Sequence, residues 1–424
     1  MKVLVVGHNC FSTSQSMGKT FCSLFSQFKK EEICQLYIYP TIPNIDFCDS
    51  SYRITDIDVL KGLFKFRVHG REIKREEIKT DCGLFENVRN TPIYRNKKNK
   101  TPFRKLARDF IWSLSPWFNK NLKIWLRRQN ITHIFAAPGD QRFVYDLALK
   151  CADYLGVPIV TYICDEDFFV QPTSFIGHFQ LFYLRKKIRQ FMTKTSLLIA
   201  ISEELKEAYG SFFSVKTEVI MTGASFDIQI KPKVLRSPEV LTYMGGLSCN
   251  RYVSLLDIGN ALDEINEEYK TNYSIEIYSG DKIESVISEF KKVKSIHFMG
   301  FVAGEKFKEV FFSAETLLHV EAFDEESIDR VKNSISTKIA DCLSSGIPLL
   351  AYGPNSIASI KHLKRNNCAF CIEKRESLKE SLIQYLNLNP EERIDFVKRA
   401  LKTACKYHDP NVVGKYVYNL IRLV

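Results

Sequence analysis

The chain has 424 residues, 45% of them hydrophobic and 26% charged. This balance excludes an intrinsically disordered protein, and the length exceeds what one ordinary core needs, so two domains are expected. No apolar run approaches the roughly 20 residues needed to cross a bilayer. The formal charge of +11 is concentrated, since residues 61–130 hold 19 Lys and Arg against 6 Asp and Glu.

In chain order, Val3-Leu-Val-Val6 before Gly7 is too short for a signal-peptide core and reads as a buried first strand. The 12 cysteines are scattered, several inside apolar segments (Cys34, Cys151, Cys164, Cys342), as in a reducing compartment. A cytoplasmic protein is expected. Further strands are predicted at 33–39, 132–136, 158–163, 196–200 and 217–221. Helices are predicted near 16–30, 119–129, 141–155, 178–193 and 202–213. Strands alternating with helices imply parallel pairing through right-handed crossovers.

The basic excess peaks at Arg95, Lys97, Lys98 and Lys100, followed by Arg104, Lys105 and Arg108 and by Trp112, Trp117 and Trp125. Cations beside tryptophans suit an anionic membrane surface or a phosphate-bearing acceptor, so segment 95–125 is a candidate for peripheral membrane contact. A solvated loop with ordinary core tryptophans is the other reading. Nucleic acid is not expected, because no recognition module accompanies the charge.

Residues 225–238, with Pro232 and Pro238, break the rhythm and read as a linker. A second series of strands follows at 240–244, 274–278, 295–299, 316–320 and 348–352. The predicted architecture is α/β: two Rossmann-like doubly wound parallel-sheet domains facing across a cleft. The expected boundaries are 1–228 and 239–405, with 406–424 a C-terminal helix that returns to the first domain. Ligands of such sheets sit at the carboxyl ends of the strands.

Four strand ends carry candidate chemistry. Gly7-His8-Asn9-Cys10 runs to Gly18-Lys19-Thr20 at a helix start, whose N–H groups could hold a phosphate or an anionic acceptor. A P-loop does not fit, because Thr13 stands where the pattern needs glycine. Asp165-Glu166-Asp167 ends another strand; one acid could act as base for an acceptor hydroxyl, or the three could cap a helix or form an ion pair. A metal role for Asp165 and Asp167 is the minority reading. Gly245-Gly246 with Arg251 suits a diphosphate, or is a plain turn. Glu321 ends strand 316–320, and Ser336-Thr337-Lys338 opens a helix that carries Asp341 one turn on. Lys338 can meet a diphosphate and Asp341 can accept from ribose hydroxyls; a simple N-cap at Ser336 is the alternative. Cys368 and Cys371 have metal-ligand spacing without a second pair, so structural cysteines are expected.

Asp341-Cys-Leu-Ser-Ser-Gly346-Ile-Pro348 resembles the helix–turn–strand closing the donor site of GT-B glycosyltransferases, above all the family with two donor-site glutamates separated by seven residues. Leu155-Gly-Val-Pro158, Ile201-Ser-Glu203, Thr222-Gly-Ala224 and Gly300-Phe301 support the likeness. Ser336–Asp341 is similar to bacterial capsule and exopolysaccharide enzymes. The resemblance implies transfer of a sugar from a UDP- or GDP-type donor to a glycan or lipid-linked acceptor, with retention, without a cofactor, and at the inner face of the plasma membrane. It places Asp341 at the second glutamate, on ribose. Asn333 falls at the first, a job that passes to Glu321 if Ala322–Asn333 is a loop insertion. Gly246 stands at the place of the family's diphosphate arginine and Arg251 at that of its lysine, so Lys338 supplies the second charge. The base is expected along Phe301 and Val302, and the acceptor near His8, Gly18, Lys19, Asp165 and Asp167. A nucleotide-sugar epimerase and a catalytically silent partner of another transferase share the same fold.

Overall fold

The computed structural model describes residues 1–13, 16–65, 70–78, 101–172, 174–229 and 240–424. The basic stretch 95–100 and most of the expected linker lie outside the described residues. The chain forms two compact units, Met1–Met221 with Val413–Val424, and Thr222–Val412.

The first unit is built on an eight-stranded sheet. Its strands are β1 (Val3–Gly7), β2 (Ile33–Tyr37), β3 (Ser50–Arg53), β4 (Arg71–Ile73), β5 (His133–Ala137), β6 (Ile159–Ile163), β7 (Thr195–Ala200) and β8 (Thr217–Val219). Their order is β4-β3-β2-β1-β5-β6-β7-β8, all parallel except β4 against β3. Every residue of β1, β2 and β6 is buried. Such strands are covered on both faces by helices and therefore read as apolar runs.

The second unit holds a six-stranded, all-parallel sheet. Its strands are β9 (Val240–Met244), β10 (Ser274–Tyr278), β11 (Ile296–Gly300), β12 (Thr316–Val320), β13 (Leu349–Tyr352) and β14 (Phe370–Ile372), in the order β11-β10-β9-β12-β13-β14. Its core gathers Leu241 and Tyr243 of β9, Ile275 and Ile277 of β10, Leu318 and Val320 of β12, and Leu255, Ile258 and Leu262 from the helix Arg251–Tyr269.

Each strand order reverses direction once, between β1 and β5 in the first unit and between β9 and β12 in the second. Crevices for ligands open at the carboxyl ends of strands beside such a switch point. In the first unit that place falls after Gly7 and Ala137, and in the second after Met244 and Val320.

Of the two readings of segment 95–125, the tryptophans follow the second and are core residues: Trp112, Trp117 and Trp125 are buried. Trp112 stacks on Phe143 at 4.3 Å and donates Nε1–H to Asp56, and Trp125 donates to Ser50. From Pro102 the segment forms a helix that is not among the predicted ones, Pro102–Leu114, started by Thr101, whose hydroxyl accepts Arg104 N–H, and by proline in the first turn. Ala322–Asn333 is likewise more than a loop; it contains the helix Glu325–Val331, with the Asp324 carboxylate accepting Ser327 N–H.

Candidate functional site

The switch point of the second unit brings together two cationic side chains, Arg251 and Lys338. After β9 the chain turns through Gly245–Asn250, where Cys249 (φ 53°) and Asn250 (φ 50°) adopt the left-handed conformation, before the helix Arg251–Tyr269. The turn is clamped from three directions. Gly245 N–H donates to Tyr278 O, Leu247 N–H to Asp281 Oδ2 at 2.7 Å, and Tyr243 Oη–H to Gly246 O at 2.6 Å. Of the two glycines, Gly245 is the one the geometry requires. A Cβ there would run into Lys338 Nζ and lie 2.9 Å from Tyr243 Oη, whereas at Gly246 the nearest atom is Asp281 Oδ2 at 3.3 Å.

Arg251 and Glu321 form a two-pronged pair, Nε to Oε2 at 3.0 Å and Nη2 to Oε1 at 3.1 Å. The Glu321 side chain is 1% exposed, and His319 Nε2 lies 3.3 Å from it. Burial works to raise the Glu321 carboxyl, but neighbouring His319 and Arg251 outweigh it and hold the carboxyl below its ordinary value. Close packing of Gly353, where a Cβ would sit 2.9 Å from Glu321 Cβ, seats the acid at the end of β12. Glu321 is therefore the acid the fold brings to Arg251.

Lys338 is the unbalanced charge. It stands in the first turn of the helix Thr337–Ser344, 5.3 Å from the centre of the Tyr243 ring, with no carboxylate in ion-pair reach among the described residues. Burial first, and the Arg251 charge second, lower its ammonium to about 8. Neither the helix Thr337–Ser344 nor the helix Arg251–Tyr269 has a side-chain cap on its first N–H groups; Ser336 is not an N-cap through its hydroxyl, and its N–H goes to Ser359 Oγ. Two helix starts without side-chain caps, Arg251 and Lys338 in one place have the charge and donors that suit a polyanion.

Phe301 and Val302 follow β11. The Phe301 ring is 63% exposed and covers Gly280, where a Cβ would come within 3.2 Å of it, and the adjacent Asp281 binds Leu247 N–H. The fold thus connects Phe301 to the glycine turn. Asp341 is already engaged, its Oδ1 accepting Ser225 N–H at 2.6 Å and its Oδ2 facing the Ser225 hydroxyl at 3.2 Å. A ribose at Asp341 would have to share or displace those bonds.

In the first unit the switch point brings His8 and Asp140 to neighbouring strand ends. His8 O accepts Ile38 and Tyr39 N–H, and its ring meets Phe143 edge-on. Gly18 has a packing reason, since a Cβ there would lie 2.6 Å from Ser12 Cβ and 2.7 Å from Cys10 O. Lys19 occupies the same helix, Ser16–Leu24. The acidic triplet separates by role. Glu166 is buried and structural, accepting Phe168 N–H, Phe169 N–H and Tyr209 Oη–H. Asp165 is exposed. The Asp167 carboxyl is pushed well above the usual carboxylate range by burial and then by Asp140 and Asp165. Asp140, paired with Lys105 at 2.7 Å, was missed by sequence reasoning; an acid three residues past the buried strand His133–Ala137 was its signal.

Neither a protein-family model nor a curated protein sequence matches the chain. Solved structures do. The chain is similar to HepE of Anabaena in complex with UDP-glucose at 13% identity and TM-score 0.59, with 100% of both chains covered. An E. coli trehalose-6-phosphate protein bound with UDP-2-fluoro glucose matches at 10% identity and TM-score 0.62, again with 100% of each chain covered. The α,α-trehalose 6-phosphate synthase of Burkholderia multivorans matches at 8% and 0.60, over 100% of this chain and 96% of that one. The chain has the GT-B fold, two parallel-sheet α/β domains, and its structural neighbours are GT-B glycosyltransferases.

Proposed function

We propose that the chain is a glycosyltransferase that moves a sugar, a hexose by family resemblance, from a UDP- or GDP-type donor to a glycan or lipid-linked acceptor, in surface polysaccharide synthesis at the cytoplasmic face of the membrane. One observation carries this reading: the half-buried Lys338, with no carboxylate in ion-pair reach among the described residues, beside Arg251 under two helix starts without side-chain caps. That the neighbours HepE and the E. coli protein are complexes with UDP-glucose and UDP-2-fluoro glucose supports a diphosphate there. As the donor bond breaks with retention, negative charge grows on the leaving diphosphate, and Lys338, Arg251 and the helix N–H groups stabilise it. Phe301 and Val302 flank the base, and Ser336 and Thr337 add hydroxyl donors. His8, Gly18 and Lys19 line the acceptor side. Asp165, the exposed acid of the triplet, takes up the proton that the acceptor hydroxyl gives up as its oxygen bonds to the sugar, with Asp167 beside it.

The test is a thermal-shift panel of nucleoside diphosphates and nucleotide sugars, followed by donor hydrolysis and transfer assays. A ligand at 100 times its dissociation constant stabilises the fold by about 2.7 kcal/mol. A flat panel would end the reading. A second reading, a silent GT-B partner of another transferase, is favoured by one observation: Arg251 is already neutralised by Glu321 and Asp341 is held by Ser225. It predicts neither turnover nor a loss on Lys338→Ala.

A further inference from the structure

The first unit leaves an unusual amount of aromatic surface in water. The helices Pro102–Leu114 and Phe175–Met192 pack on each other, with Pro102 against Gly177. The inner face of the second buries Leu181, Leu184 and Ile188, and the first buries Trp112. On the outer faces Phe103, Phe110 and Leu114 are 65%, 61% and 58% exposed, and Phe175, Phe179 and Phe182 are 78%, 49% and 63% exposed. Spacings of seven and four, and of four and three, place each trio on one stripe of its helix. Ile176 and Tyr183 widen the second stripe, and Phe64, on a helix packed against the first, is 85% exposed. Contiguous apolar surface of this kind marks an interaction site.

Charge identifies the occupant. Lys105, Arg108 and Lys187 on these helices are paired with Asp140, Asp56 and Asp146, and Arg185 is bonded to Phe168 O and Val170 O, which leaves Arg104, Lys186 and Arg189 as the exposed cations, while the helix Phe175–Met192 carries no acid and Asp109 of the other is buried. Two copies meeting through this face would oppose cation to cation, which disfavours self-association. Exposed rings with long cationic stems beside them match a bilayer interface instead, the rings entering the acyl boundary and the cations meeting lipid phosphates. We propose that these two helices dock the protein on an anionic lipid surface. The inference deepens the lipid-linked acceptor reading, but it concerns partition rather than transfer, so either can fail alone.

The full chain is floated with vesicles of phosphatidylcholine, alone or with one third phosphatidylglycerol. It associates with the anionic vesicles, and salt weakens the association. Replacing Phe103, Phe175 and Phe182 together with serine lowers partition at least about tenfold at an unchanged unfolding temperature. Lys186→Glu lowers binding to anionic vesicles alone, by roughly fivefold or more. No association with anionic vesicles, or a triple variant that binds like wild type, overturns the proposal. So does a wild-type dimer that the triple variant converts to monomer.

Discussion

Lys338 concentrates the energetic argument at the residue scale. A half-buried ammonium lowered to about 8 is one the fold holds at a cost, because its ordinary value is 10.5. Its folded value lies below the unfolded one, so the cost is full at neutral pH and is relieved only as pH rises from about 8 toward 10.5. Lys338→Met keeps the stem and deletes the charge. The free protein should then gain on the order of 1–3 kcal/mol at pH 7 in urea unfolding, while its response to nucleoside diphosphates disappears. A variant that loses stability would show Lys338 to be a structural cation. Gly245→Ala makes a companion case: the new methyl displaces Nζ, so diphosphate affinity measured by calorimetry should fall about tenfold or more, with unfolding changed by less than about 1 kcal/mol. The sequence made Arg251, Lys338 and Glu321 visible as polar residues at strand ends and helix starts. It could not show that Glu321 neutralises Arg251, that Asp341 holds Ser225, or which acid of Asp165-Glu166-Asp167 is structural, because those assignments depend on partners far away in sequence.

Among the elements, the legible strands are those with a continuous apolar run or an alternation of apolar and polar residues, the latter including Ser274–Tyr278, which is only partly buried. The polar strand Ser50–Arg53, the mostly exposed edge strand Arg71–Ile73 and the three-residue Phe370–Ile372 have no such pattern and emerge only from pairing. The helix Pro102–Leu114 was obscured by its basic residues, although its cap and its proline were in view. A contact between elements also sets a pH dependence. His408 ends the helix Pro390–Tyr407, its Nδ1 lies 2.8 Å from Thr222 O, and its Nε2 lies 3.2 Å from Nε2 of His362, on the helix Ala358–Arg365. Burial pushes His408 down to about 4; burial, then His408 and Arg365, push His362 down to about 3. Both folded values lie below the unfolded 6.5. The unfolded chain therefore takes up protons first, and stability is complete above about pH 6.5 and lost as pH falls toward 4. Urea unfolding of the second unit should weaken by up to about 1.4 kcal/mol per pH unit for each histidine titrating, and His362→Phe should flatten the slope. A profile unchanged by that variant would locate the dependence elsewhere.

The whole molecule pairs two parallel sheets, each with one reversal of strand order. That architecture was readable because the alternation of strands and helices stops near residue 225 and begins again at 240. The chain does not simply divide there, however. Val413–Val424 belongs with Met1–Met221, and its helix, Pro410–Arg422, buries Val413, Val417, Leu420 and Ile421. Tyr418 packs on Phe28 at 4.8 Å and donates its hydroxyl to Glu32, and Gly414 allows the close approach to Ser26 that a Cβ would block. The last residues are thus core of the first unit, and Arg251, Glu321 and Lys338, the residues of the proposed diphosphate site, all belong to the second. Ile421→Ala should cost the first unit about 2–5 kcal/mol through the lost side chain and the cavity it leaves. Because no residue of the site is touched, calorimetric affinity for a nucleoside diphosphate should stay within about twofold of wild type at temperatures where both units are folded. Urea unfolding followed with and without the nucleotide separates the two effects: the variant shifts one transition and the ligand the other. An Ile421→Ala protein that loses nucleotide affinity while still folded would mean that the site depends on the first unit, and the assignment of donor binding to Thr222–Val412 alone would fall.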